Sequence, residues 1–314
     1  MQLSIKLIRH YKYWNKTLLT KHQIMKRLFL FVGLVTLAFF ACKKSTDTKD
    51  TVTKDPFNAT DNVTASTDNS VASVMFDDVY RQVDNSSAIM KDSCSKKKSN
   101  LEMLSTCAVI TLDSGGFNLT TWPKYLTVDF GTTGCLGSDG RTRKGKIHYK
   151  ATHWMNDSAS VCTVTTDNYY VDGYKIEGLK TITNLGHNSN QHLCYHVVVT
   201  NGLITHPNGA HHTWATDRVT EWINGDATVL NPWDDKFSTT GSAHGVTTTN
   251  VNYTITIDNA HPLITEWTCR WIEQGMLTTT VGNQPSITVD YGNGVCNDSA
   301  SFTIYGYTYN FIMP

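Results

Sequence analysis

The sequence predicts an all-β protein, a large antiparallel sandwich or flattened barrel preceded by a disordered tether and one short helix. Three observations carry that reading. From Cys107 onward the chain is rich in Thr, Val, Ile, Tyr and Trp in short alternating runs, the texture of strands with one buried face. Turn residues punctuate those runs at Val171-Asp172-Gly173, Thr200-Asn201-Gly202, Pro207-Asn208-Gly209 and Gly292-Asn293-Gly294, as in successive hairpins. No helical period of useful length appears after Leu104, which disfavours α/β classes and active sites built on a strand-to-helix turn.

The segments before the sheet follow in order. Residues 1–41 read as a signal segment in which Lys26-Arg27 precede an apolar run from Leu28 to Ala41. That run is about 14 residues, short of the roughly 20 that a membrane-spanning helix needs. Met25 stands just before the basic pair and is the expected true start. Phe39-Phe40-Ala41-Cys42 has the form of a lipoprotein cleavage site, so Cys42 is the expected lipid attachment point and several acyl chains hold the protein to a membrane. Residues 42–69 are Thr, Asp, Asn, Ser and Lys with little to bury, a solvated tether. In 70–90, Ser70 is a potential cap and Ala72, Phe76, Val79 and Val83 recur at helical spacing, which predicts an amphipathic helix packed on the sheet. Residues 91–104 form a polar spacer with Cys94 and Lys96-Lys97-Lys98, and 105–314 form the β-domain, with about fourteen strands expected.

The chain carries 27 basic and 27 acidic residues, but all seven basic groups of residues 1–41 precede the expected cleavage. The remainder is acidic, and it has no basic stripe to hold nucleic acid or anionic lipid. The expected partners are the membrane, through the lipid, and a glycan or an envelope protein.

An internal repeat organises the β-domain. Cys107-Ala-Val-Ile-Thr-Leu leads to Leu126-Thr-Val-Asp-Phe-Gly and Cys135, while Cys269-Arg-Trp-Ile leads to Ile287-Thr-Val-Asp-Tyr-Gly and Cys296. Cysteines flanking an antiparallel pair can meet, so bridges Cys107–Cys135 and Cys269–Cys296 are expected. Pairing of Cys107 with Cys296, across the ends of the domain, is the alternative. Cys162 and Cys194 either pair or remain buried thiols.

Gly134-Cys-Leu-Gly-Ser-Asp-Gly-Arg-Thr-Arg-Lys-Gly-Lys-Ile147, Asp167-Asn-Tyr-Tyr-Val-Asp-Gly-Tyr-Lys-Ile-Glu-Gly178, Cys269-Arg-Trp271 and Asp290-Tyr-Gly-Asn-Gly-Val-Cys296 resemble a group of uncharacterised β-rich lipoproteins of Bacteroidota. The resemblance runs from the leader through most of the β-domain and implies an outer-membrane lipoprotein, periplasmic or at the cell surface. It brings no established activity and no catalytic residue. The chain departs from the group's pattern at Cys162, Cys194 and the histidine-rich turn near His211.

Chemistry is sparse. No zinc-protease, serine-hydrolase or phosphate-loop motif is present. Ser93-Cys-Ser-Lys96 lacks the partner motifs of penicillin-recognising enzymes, and Asp129-Phe130-Gly131 sits in a strand. The sequence therefore predicts no catalytic residue, no metal and no cofactor, and leans away from an enzyme. His206 and His211 would face each other across a four-residue loop, with His212 on the opposite face. Trp214, Trp222 and Trp233, near Glu221, Asp226, Asp234 and Asp235, are the candidate sugar contacts. Asp50-Thr51-Val52, Asp157-Ser158-Ala159 and Asp298-Ser299-Ala300 resemble O-glycosylation acceptors. The expected function is a non-catalytic binding or structural module; the alternative is a surface lipoprotein that binds or hydrolyses glycan.

Overall fold

The computed structural model describes residues 58–95, 107–112, 121–228 and 231–313, without the side chains of 85–95 and Pro232. The signal segment with Cys42, most of the tether and the remainder of the spacer lie outside the described residues. Helix α1 (Ala59–Ser95) precedes fifteen strands. They are β1 (Val109–Leu112), β2 (Lys124–Asp129), β3 (Cys135–Leu136), β4 (Thr142–Ala151), β5 (Val161–Val171), β6 (Tyr174–His187), β7 (Leu193–Thr205) and β8 (His211–Asn224). After two single-turn 3-10 helices, Asp226–Thr228 and Pro232–Asp234, come β9 (Lys236–Val246), β10 (Asn252–Ile257), β11 (Leu263–Glu266), β12 (Gln274–Val281), β13 (Ile287–Asn293), β14 (Ser299–Ile304) and β15 (Tyr307–Ile312).

The strands form one antiparallel sheet in nearly sequential order; β3 adds to β4, and β11 bridges β9 and β12. Side chains alternate across it. In β10, Tyr253, Ile255 and Ile257 are buried while Asn252, Thr254 and Thr256 are exposed. The all-β antiparallel class predicted from the alternating runs therefore holds.

The helix needs a correction. It begins at Ala59, eleven residues before the expected Ser70, so much of the expected tether is helical, and it continues through Ser95 into the expected spacer. Asn58 is the cap: its Oδ1 accepts the N–H groups of Thr60 and Asp61 at 3.0 and 3.3 Å. Nor is the helix amphipathic in the ordinary sense. It contacts β2, β4, β5, β6, β8, β12 and β15, so the sheet wraps it from both ends of the strand order. From Asn69 to Val83 only Asp77 is exposed, with Tyr80 and Arg81 half-buried.

Apolar contacts hold the middle of α1, where Met75, Phe76, Val79 and Val83 join Ile147, Tyr169, Ile204 and Trp214 in one core; burying each such side chain is worth about 1.5–3 kcal/mol. Polar contacts hold its first half. Asn62 donates to Gln284 Oε1 at 2.8 Å, Trp214 Nε1 donates to Asn69 Oδ1 at 3.0 Å, and the Ser70 and Tyr291 hydroxyls lie 3.1 Å apart.

Both expected disulfides are present, Cys107–Cys135 and Cys269–Cys296, and Cys162 and Cys194 are free. The two repeat units are hairpins of one kind. In each, an aspartate accepts the N–H of a glycine two residues on, Asp129 from Gly131 at 2.8 Å and Asp290 from Gly292 at 2.7 Å. Of the expected turns, Asp172-Gly173 makes a hairpin in which both residues have positive φ. Asn201-Gly202 does not turn the chain: it is a bulge inside β7, where the register shifts between Val199 and Gly202. A Cβ on Gly202 would meet the Trp214 carbonyl oxygen at 2.3 Å and the Phe76 ring at 3.2 Å. The bulge brings the sheet down onto the helix at that point.

Candidate functional site

One cleft of about 500 Å³ opens onto α1. Its floor is a helical stripe at four-residue spacing, Ser73 and Val74, Asp77 and Asp78, then Arg81 and Gln82. One wall is the loop entering β4, with Ser138, Asp139 and Arg141; the other is the segment between β11 and β12, with Trp267, Arg270 and Trp271, joined by Cys296 from beyond β13. Trp233 stands at the rim, 52% exposed.

Charge is arranged differently on the two sides. Arg143, 1% exposed, sits between Asp78 and Asp139. Its Nε donates to Asp78 Oδ2 at 3.1 Å and its Nη1 to Asp139 Oδ1 at 3.0 Å. The Tyr169 hydroxyl donates to the same Asp78 oxygen at 3.2 Å. Arg141 lies 3.6 Å from Asp78 and donates its Nε to Asp172 at 2.8 Å. Burial works to raise the Asp139 carboxyl, but the hydrogen bonds and charge of Arg143 outweigh it and hold the group below its ordinary value. Lys180, from β6, reaches Asp77 at 3.0 Å and the Phe76 carbonyl at 3.1 Å.

On the aromatic side the guanidinium groups meet no carboxylate directly among the described residues. Arg81 donates to the carbonyls of Glu266, Trp267 and Cys269 at 3.1–3.4 Å and lies 5.2 Å over the Trp267 ring. Arg270 is exposed and lies 4.4 Å over the Trp271 ring. The cleft therefore pairs spent carboxylates on one wall with indole faces and available positive charge on the other.

The structure separates the three expected sugar contacts. Trp214 is 3% exposed, stacked on Phe76 with ring centroids 5.4 Å apart, and is a core residue. Trp222 is 7% exposed against Phe237. Strand alternation turns both inward, which corrects the expectation; only Trp233 reaches the cleft. Glu221 is taken by His192 and Asn188, at 2.6 and 2.7 Å. Trp267 and Trp271 were not expected. For Trp271 the sequence signal is the Cys269-Arg-Trp271 motif, which places an arginine and an indole beside a cystine; Trp267, two residues before it, has none. Asp157-Ser158-Ala159 lies in an exposed turn, and Asp50 lies outside the described residues.

The histidine expectation is corrected by register. The His206 N–H bonds the Ala210 carbonyl at 2.7 Å, so the loop holds three residues rather than four. Thr205 then pairs with His211 and Ile204 with His212. A one-residue difference exchanges the faces of a strand: His212 is buried and His211 exposed. His206 Nε2 lies 2.9 Å from His212 Nδ1. Burial, reinforced by His206, pushes the His212 imidazole down to about 3.

No family model matches the chain, and no curated protein or solved structure gives a match either.

Proposed function

We propose that the protein is a lipid-anchored module of the cell envelope that binds, without turnover, an acidic saccharide in the α1 cleft. The carrying observation is the juxtaposition of the Trp233 and Trp271 rings with Arg270, whose guanidinium meets no carboxylate among the described residues. Indole faces stack on the C–H faces of sugar rings, and a guanidinium pairs with a carboxylate or sulfate in two-point geometry. Binding is favoured over hydrolysis because Asp78 on the floor and Asp139 on the opposite wall both clamp Arg143, and Asp77 pairs with Lys180. A hydrolase needs one carboxyl that holds a proton near neutral pH and a second free to attack or to activate water. Attachment through Cys42 and residence at the outer membrane are part of this reading and rest on the leader sequence.

The test is binding of the purified full-length chain, in detergent, to matched panels of neutral and acidic oligosaccharides. Saturable binding to acidic members is expected, with no change in the sugar, and Trp233→Ala weakens it about tenfold while leaving the melting temperature unchanged. Binding that ignores both Trp233→Ala and Arg270→Ala, or release of shorter sugars, overturns the reading.

A further inference from the structure

Away from the cleft, α1 and the β7–β8 hairpin bring a carboxylate and two imidazoles together. Asp68 comes from the helix, while His206 and His212 flank the hairpin loop, and their side chains are 4%, 16% and 0% exposed. His206 Nε2 and His212 Nδ1 lie 2.9 Å apart, and Asp68 Oδ1 lies 3.8 and 3.7 Å from them. The last two separations exceed hydrogen-bond length. Asp68 Oδ1 therefore faces both rings without bonding either. Its other oxygen, Oδ2, is fixed by the Thr248 N–H and hydroxyl at 2.8 and 3.1 Å.

The geometry points to a zinc-class divalent cation held by Asp68 Oδ1, His206 Nε2 and His212 Nδ1, clamping the helix to the hairpin. A triangle with sides of 2.9, 3.7 and 3.8 Å has its centre about 2.0 Å from each corner, the distance at which zinc binds imidazole nitrogen and carboxylate oxygen. Donors around a tetrahedral ion of that bond length stand about 3.3 Å apart, and around an octahedral one about 2.8 Å. The mean separation here is about 3.5 Å, so closing the three donors by about 0.2 Å gives the tetrahedral spacing. Two nitrogens and one oxygen also suit zinc better than calcium or magnesium, which take oxygen donors.

The supporting shell is already built. Thr248 orients the carboxylate, and the Tyr174 ring packs on His206 with centroids 5.1 Å apart. His212 is fully buried, with the Asp68 backbone beside its ring, and its Nδ1 is the nitrogen turned toward His206 and the Asp68 carboxylate. The other convergent donor set, Cys269, Glu273 and Cys296, has both sulfurs in a disulfide and offers no thiolate.

Zinc titration of the tag-free full-length chain after chelation, read against a competing chelator dye and by melting temperature, decides the matter. One equivalent is expected to bind and raise the melting temperature. Co2+ in its place is expected to show the strong visible absorption of a tetrahedral site. His206→Ala, at the half-buried edge, is expected to weaken binding at least 100-fold while keeping the metal-free melting temperature. His211→Ala, one residue from the site but facing solvent, changes neither. Asp68→Asn, nearly the same size, separates loss of a ligand from loss of packing. Failure to take up zinc below about 100 μM, or equal loss of binding in His206→Ala and His211→Ala, overturns the assignment.

Discussion

The two disulfide-stapled hairpins share a plan and differ in what they deliver to the cleft. Asp129 pairs with Val109 in the first and Asp290 with Met276 in the second. Val109 lies two residues after Cys107, whereas Met276 lies seven after Cys269. The five extra residues carry Arg270 and Trp271 into the aromatic wall. The first hairpin places its chemistry beyond its second cysteine instead, where Arg141 and Arg143 turn inward onto Asp78 of the helix and Asp139 pairs with Arg143 from outside. A single frame thus supports a wall of carboxylates paired with arginines and a wall in which arginines lie over indole rings. The lesson is that the side chains lining the cleft walls come from the irregular segments beside the cystines, and the strands hold those segments in place.

The sharpest way to break the comparison is Arg143→Met. It leaves Asp78, Asp139 and the Tyr169 hydroxyl facing a space without their main cation, and loss of about 3–5 kcal/mol is expected in urea unfolding. On the aromatic wall the exposed Arg270 carries no such load, and Arg270→Ala should stay within about 0.5 kcal/mol. A loss at Arg143 below about 1 kcal/mol would show that Arg141 alone neutralises Asp78.

Next come the disulfides. They close nearly equal spans, 28 and 27 residues, so chain entropy predicts a similar cost of about 3 kcal/mol for removing either with paired Cys→Ser changes. Only the change at Cys269 and Cys296 should also abolish saccharide binding, because only that bridge lines the cleft. Equal loss of binding from both would mean that the walls are not independent.

The smallest effect is a pH dependence on the aromatic side. The Asp235 carbonyl accepts the Trp267 N–H at 3.0 Å, and burial, with the charges of Asp234 and Asp84, pushes the Asp235 carboxyl up to about 7. An unfolded chain releases that proton near pH 4. The folded state therefore holds the extra proton between about pH 4 and 7, and this group's contribution to stability falls as pH rises through that window. Asp235→Asn should flatten the fall, which is on the order of 2 kcal/mol, between chemical denaturation at pH 5 and at pH 8. An unchanged slope would place the titration elsewhere.

How much could be read from the residues follows from which forces leave a periodic trace. The strands and both bridges were legible because alternation and the matched Leu126 and Ile287 segments are local patterns. The start of the helix was not. Its residues 59–69 bury Asn62, Ser66, Asp68 and Asn69 rather than an apolar stripe, and the groups that receive them lie up to 222 positions away. The histidine cluster was missed by one residue of register, set by a loop of three residues instead of four. The aromatic wall was invisible because Trp267 and Trp271 are brought to Trp233 by the pairing of β11 with both β9 and β12.

The enclosed helix also imposes a timetable. Residues 59–83 emerge first during synthesis, yet their partners include Gln284, Tyr291 and strand β15 near the C-terminus. A helix in a protein draws most of its stability from tertiary packing, so this one is expected to settle only when almost all of the described strands exist. Contacts spanning more than 200 residues belong to the slow end of folding. The protein is therefore expected to spend its early life open, dependent on holding factors, and to gain protection from proteolysis in one late step when the last strand arrives.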